Sequence, residues 1–256
     1  MKIKIIFLFA VLLFSTSKIF SQTSKVDSLL KEGNKSIVAM NEEKALTQFL
    51  EALKTDALNY EANWQVSLLY SKIGNRKISI ADKKQYFVQA KQYAVKSLKI
   101  NPTDAESNFV MSVAMGRMAL ISAAKEKVDA ANDIKKYADL ALKYNPNHPA
   151  AWHVLGKWNY EVVNLSWAEK QAANVLMGGI DGTATIADAI ADYQKAIALK
   201  PSYILYYLDL AKAYDNKGDK ANAVITINKL LTFPISTEDD AAYITEAKTL
   251  LAKDKQ

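Results

Sequence analysis

From Lys25 to the C-terminus, apolar side chains recur at spacings of three and four, set among Ala, Leu, Lys, Glu and Gln, and this period predicts helix after helix. No stretch offers the strict alternation of a half-buried strand. The helical signal is cut at corresponding places: Gly74 in Lys72-Ile-Gly-Asn75, the pairs Asn101-Pro102, Asn145-Pro146 and Lys200-Pro201, and Gly218 in Asn216-Lys-Gly-Asp219. Proline cannot continue a helix and glycine closes one readily, so the breakers divide the chain into helical hairpins.

Five units align on these breakers. The first uses Leu29 and Gly33 on its leading helix and Ala45, Phe49 and Ala52 on its second; the next uses Val66, Ser67, Tyr70 and Gly74, then Ala90, Ala94, Ser97 and Pro102. Met111, Ser112 and Met115 followed by Ile134, Ala138, Ala141 and Pro146 make the third. Trp152, Leu155, Gly156 and Asn159 followed by Ala189, Tyr193, Ala196 and Pro201 make the fourth, and Tyr207, Leu210, Ala211, Tyr214 and Gly218 with Ala223, Ile227, Leu230 and Pro234 the fifth. Small residues that let paired helices approach, with larger ones filling the grooves between pairs, resemble the tetratricopeptide pattern. The expected fold is therefore all-α, a right-handed superhelix of tetratricopeptide-like hairpins.

The spacing is uneven. Against a usual repeat of about 34 residues, units three and four carry about 10 and about 21 extra. Residues 119–143 contain no breaker, which predicts that unit three lengthens its helices, and unit two is expected to do the same before Ala90. Residues 165–184 read as an inserted helix, Leu165 to Met177, and a glycine turn, Gly178-Gly-Ile-Asp-Gly182, before a helix starting near Thr185. A last helix, about Thr237 to Lys253, opens on the cap and acids of Ser236-Thr-Glu-Asp-Asp240 and would cover the final apolar face.

The N-terminus has a different character. Lys2 and Lys4 precede ten apolar residues, Ile5 to Phe14, and a polar stretch ending at Ser21, an arrangement that predicts a signal peptide over 1–21 with cleavage before Gln22 and a repeat domain over 22–256. Ten residues are too few to span a bilayer, although a retained anchor is the competing reading. The chain carries 33 basic and 27 acidic residues, and loss of Lys2, Lys4 and Lys18 leaves 30 basic, so the formal charge falls from +6 to +3. That surplus gives no ground for a nucleic-acid partner, and no membrane span is expected once the signal is removed.

Candidate chemistry is sparse. There is no cysteine, and His148 and His153 are the only histidines, so a metal centre or thiol nucleophile has little to be built from. No phosphate loop, dinucleotide glycine pattern or His-Glu-x-x-His helix occurs, and no cofactor is expected. Glu161 and Glu169 read as helix charges rather than a glycosidase pair. Trp158 and Trp167 are expected to fasten the inserted helix against unit four.

The stretch Pro149-Ala-Ala-Trp-His-Val-Leu-Gly-Lys-Trp-Asn-Tyr-Glu161 carries a more specific resemblance. With His153, Leu155, Gly156, Lys157, Trp158, Trp167, Tyr193, Ala196, Pro201 and Tyr207 it resembles the helical repeat domain of the regulator of microtubule dynamics family, over about residues 25–253. The resemblance implies the repeat architecture. Animal members associate with microtubules or organelle membranes, but the Lys- and Phe-rich leader has the character of a bacterial export signal, so microtubule binding is not carried over.

In such a superhelix the leading helices line the concave face, which makes Asn34, Trp64, Lys72, Arg117, His153, Lys157, Tyr160, Lys212 and Asn216 candidate partner-binding residues. Asn and Tyr suit peptide backbone, and Lys and Arg an acidic or C-terminal carboxylate group. The expected protein is a periplasmic or secreted, non-enzymatic scaffold that binds a protein or peptide. The alternatives are an enzyme with a pocket at the 165–184 insertion and a membrane-tethered envelope scaffold.

Overall fold

The computed structural model describes residues 23–177, 179–180 and 183–254; the signal-like segment 1–21 and Gly178, Asp181 and Gly182 of the glycine turn lie outside them. The described residues form helices and turns, with no strand among them. Five hairpins follow in order. They are α1 (residues 23–38) with α2 (Glu42–Thr55), α3 (Tyr60–Arg76) with α4 (Ile80–Ile100), α5 (Ala105–Ala119) with α6 (Ala124–Tyr144), α7 (Pro149–Val163) with α9 (Ile186–Leu199), and α10 (Ile204–Asn216) with α11 (Lys220–Leu230). The insertion supplies α8 (Trp167–Met177), and α12 (Asp240–Asp254) covers α10 and α11. The lengthening falls on the second helices, since α4 and α6 each run 21 residues.

Polar caps set the helix starts. Asn41, Asn59, Ser79, Asp104, Thr185 and Asp219 each accept a backbone N–H from the first turn of the helix that follows, and His148 does so through Nδ1, 3.0 Å from Ala151 N. Asp240 folds back on the entry to α12: its carboxylate accepts the Thr237 N–H at 2.8 Å and the Thr237 hydroxyl at 2.7 Å. The helix accordingly begins later than expected, at Asp240.

Within a hairpin the two helices meet at a small residue paired with one of complementary size. Gly33 and Gly156 lie under the rings of Phe49 and Tyr193; a Cβ at either glycine would stand 2.6 or 2.7 Å from a ring carbon. The equivalent positions of the other hairpins hold Ser67 with Ala94, Ser112 with Ala138 and Ala211 with Ile227, all fully buried. A second regularity ties each turn between hairpins. A side chain near the start of the leading helix donates to the carbonyl six residues earlier: Asn63 to Ala57 (3.1 Å), Asn108 to Pro102 (3.1 Å), Trp152 to Pro146 (2.8 Å) and Tyr207 to Pro201 (2.7 Å). Three chemically different side chains thus satisfy the same orphan carbonyl.

The tryptophans of the insertion divide. Trp158 is buried and its Nε1 donates to the Ala131 carbonyl at 2.8 Å. Trp167, expected to fasten α8 against unit four, is instead 77% exposed; α8 packs on α6 of unit three, and Lys170 bonds the Val163 carbonyl of unit four.

Gly156→Ala should test the volume constraint. Alanine favours a helix interior over glycine by up to about 1 kcal/mol, yet here its methyl enters the Tyr193 ring, so a net loss of about 1–3 kcal/mol is expected in urea unfolding. Adding Tyr193→Leu should recover part of it; simple additivity of the two losses would count against the contact.

Candidate partner-binding face

Polar side chains of the leading helices α7 and α10 meet beside α12. At their centre the buried Asp209 of α10 accepts a hydrogen bond from His153 Nε2 of α7 at 2.8 Å. Lys212 Nζ lies 3.6 Å from the other carboxylate oxygen and 2.7 Å from Glu246 of α12. The His153 ring stacks on Tyr206 and lies tilted against Tyr193. Burial alone would raise the Asp209 pKa, but the charge of Lys157, the His153 hydrogen bond and Lys212 outweigh it and hold the carboxyl well below the usual range. Asp209 in turn raises the pKa of the exposed Lys157, with help from Glu161, 3.3 Å away.

Arg117 of α5 enters the same region. Its Nη1 donates to Asn75 at 2.9 Å, its Nε is buried with no hydrogen-bond partner among the described residues, and burial draws the guanidinium pKa down despite the proximity of Tyr243, Asp239 and Asp209. Three of the sequence candidates, His153, Lys157 and Lys212, therefore meet around one carboxylate, whose charge also reaches the buried Arg117.

The other candidates are distributed. Asn34 donates to Glu61 at 2.7 Å and accepts from Gln65 at 3.2 Å, beside an open groove of about 680 Å³ lined by Leu30, Lys31, Val38 and Glu61. Tyr160 is half-buried beside Tyr193 and Ile190, and Asn216 donates to Asn164 at 2.7 Å. Trp64 packs into the core cluster of Ala90 and Phe109, and His153 is buried, so these two are engaged internally. Lys72 pairs with the buried Glu42 at the start of α2.

Glu42 leads to a contact that the helix pattern leaves unseen. Arg76 of α3 holds Glu42 at 2.7 Å, Glu238 at 3.0 Å and Asp239 at 3.1 Å, and the Glu42 N–H donates to Glu238 at 2.5 Å. The acids before α12 thus reach across to the first two hairpins. Burial would lower the Arg76 pKa, and its bonds to Glu42 and Asp239 more than offset this. Nearby, burial, with Asp240, Asp239 and Glu42, pushes the Tyr203 hydroxyl up to about 12. Asp209 had a visible signal, a lone carboxylate within Tyr206-Tyr-Leu-Asp-Leu-Ala211; Arg76, Glu238 and Asp239 had none beyond their charge.

The insertion borders a second space, about 340 Å³, lined by Val162, Val163, Lys170, Ala173, Asn174, Ile180 and Ala184. Among the described residues of that lining the ionisable one is Lys170, which donates to the Val163 carbonyl at 3.0 Å. Glu169 accepts from Ser166 N and Oγ, a local cap. Among the described residues no helix is long and apolar enough to cross a membrane.

The family model described as "Regulator of microtubule dynamics protein 1-3" matches residues 23–255. Regulator of microtubule dynamics protein 1 of Caenorhabditis elegans is 28% identical over 171 residues, 67% of this chain and 75% of that one; protein 1 of Bos taurus is 25% identical over 247 residues, 94% and 75%. Protein 3 of Rattus norvegicus is 27% identical over 194 residues, which covers 74% of this chain but only 41% of the rat protein. Among solved structures, TTC0263, a tetratricopeptide-repeat protein of Thermus thermophilus, superposes with a TM-score of 0.66 at 16% identity over 89% of this chain and 99% of that one. These relatives are named as regulators of microtubule dynamics, and the solved structure is a tetratricopeptide-repeat protein.

Two carboxylates should titrate stability in opposite directions. Asp209→Asn leaves the surrounding cations uncompensated and should cost about 3 kcal/mol or more at neutral pH. Because the folded pKa of Asp209 lies below its unfolded value of about 3.9, the difference from wild type should shrink as pH falls below about 4. Asp192, which accepts from Asn159 at 2.9 Å, is the reverse case: burial, with Asp188 and Asp139, raises its pKa to about 6. The folded state therefore binds the extra proton, and stability should fall by about 1–3 kcal/mol as pH rises from about 4 to about 6. Asp192→Asn should remove that fall and exceed wild type at pH 7, measured by urea unfolding across pH.

Proposed function

The chain belongs to the regulator of microtubule dynamics protein 1-3 family, and we propose that it is an exported scaffold whose inner face grips a protein or peptide through the basic group around Asp209. A repeat array offers one long, continuous surface to a partner, which suits binding better than catalysis. The observation that carries the reading is the pair of partly exposed cations Lys157 and Lys212, from two successive leading helices, gathered by the buried Asp209 carboxylate. This is a face with cationic capacity for a carboxylate of a bound segment. The names of the relatives speak of microtubule regulation, but the chain spans less than half of the rat protein 3, and the leader favours a compartment outside the cytoplasm. Export is consistent with a family match that begins at residue 23, just past the expected cleavage site.

Lys72 and Arg117 are poor positions for charge reversal, because one pairs with a buried acid and the other is itself engaged inside the array. Lys157 is exposed and Tyr160 half-buried. Affinity capture from envelope extract should recover a partner with wild type and lose it with Lys157→Ala/Tyr160→Ala at unchanged helicity; equal recovery by both would reject the inner face. N-terminal sequencing of the same material should begin at or near Gln22, whereas recovery of Met1 in the membrane fraction would reject cleavage.

A further inference from the structure

The contact between the two ends of the array is polar. The cluster that seats α12 comprises Ile204, Leu208, Ile227, Leu230 and Ala247 with Leu250 and Leu251, so capping of the last hairpin is complete without α2 or α3. What joins α12 to the first hairpins is a non-helical pair of acids, Glu238 and Asp239, lying on Arg76 and on the N–H of Glu42. These are partners 163 and 196 residues apart in sequence.

The receiving surface has the chemistry of a carboxylate site. The Arg76 guanidinium presents Nη2 to one acid and Nη1 to the next, and the first-turn N–H of Glu42, which has no partner within its own helix, points at the first. Lys72 and Arg76 supply two positive charges. Glu42 is buried and fixed, so when Glu238 and Asp239 are added the cluster is one charge negative, and when they leave it is one charge positive. The acids are held by partly exposed side chains, and such pairs exchange readily with competing ions and ligands.

We propose that this surface of Arg76, Lys72 and the Glu42 N–H binds an acidic turn of a partner protein carrying two consecutive carboxylates, and that the chain's own Ser236–Asp240 is its resident competitor. Consecutive acids in a turn, both reaching one guanidinium, are what the site already holds. The inference rests on the protein-binding reading for the nature of the partner, but it uses a different part of the inner face. Displacing the resident segment also releases the tie between α12 and the first hairpins, so partner binding and opening of the array are one event.

The test uses the full chain. Glu238→Gln/Asp239→Asn empties the site while keeping Asp240, which holds the entry to α12. A fluorescent peptide of the sequence from Pro234 to Ala242 is titrated by anisotropy into wild type and variant. The variant should bind it at least about tenfold more tightly, with affinity falling as salt rises, and a peptide with Gln and Asn in place of the two acids should not bind. Arg76→Gln in the variant background should abolish binding and Arg76→Lys should restore part of it, with far-UV circular dichroism and Tm showing that each protein is folded. Equal affinity of wild type and variant, binding that ignores the acids, or binding that survives Arg76→Gln in folded protein would overturn the proposal. So would variant protein that takes up anionic phosphatidylserine vesicles but not the peptide. Lys157→Ala/Tyr160→Ala should leave peptide binding unchanged, so failure of the Asp209-centred reading and failure of this one are separately visible.

Discussion

The space between the two helices of a hairpin is divided unequally, and the rest of the architecture follows from how that division is made. Gly33 yields its volume to Phe49 and Gly156 to Tyr193, Ser67 and Ser112 are matched with alanines, and Ala211 with Ile227. The interior tolerates neither a void nor an overlap, so each hairpin has one way of closing. The leading helices are thereby held side by side. The meeting of His153, Lys157 and Lys212 around Asp209 is a consequence of that stacking, since the four residues lie on two different hairpins.

The hairpins were legible because their determinants are local. Breakers end helices wherever they fall in sequence, and small and aromatic residues announce the contact positions, so the number of units, the long α4 and α6 and the inserted α8 could all be read from spacing. Charges carry no such address. Glu238 and Asp239 sit where acids favour any helix start, and their bond to Arg76 becomes visible only once the superhelix brings the ends together. Trp167 shows the same limit for apolar letters. Size and aromaticity suggest burial, but α8 turns that side chain to solvent while Trp158 finds the Ala131 carbonyl.

The turns between hairpins add a subtler case. Asn63, Asn108, Trp152 and Tyr207 perform one task, donation to the carbonyl six residues back. A pattern that asks for a residue type sees three unrelated letters there, whereas one that asks for a donor of suitable reach sees a repeat. The family membership and the fold were recoverable in spite of this, because the packing positions are spelled more uniformly than the polar ones.

Linear repeat arrays communicate between neighbours only, so damage to a terminal unit usually stays there and the ends fray first. The tie from α12 to Arg76 and Glu42 changes that topology. Loosening the first hairpin deprives the last helix of an anchor, and loosening the last exposes a charge buried in the first. Slow-exchanging amides should then extend toward both ends of the chain instead of concentrating in its middle, the protection pattern of a strap with its buckle fastened.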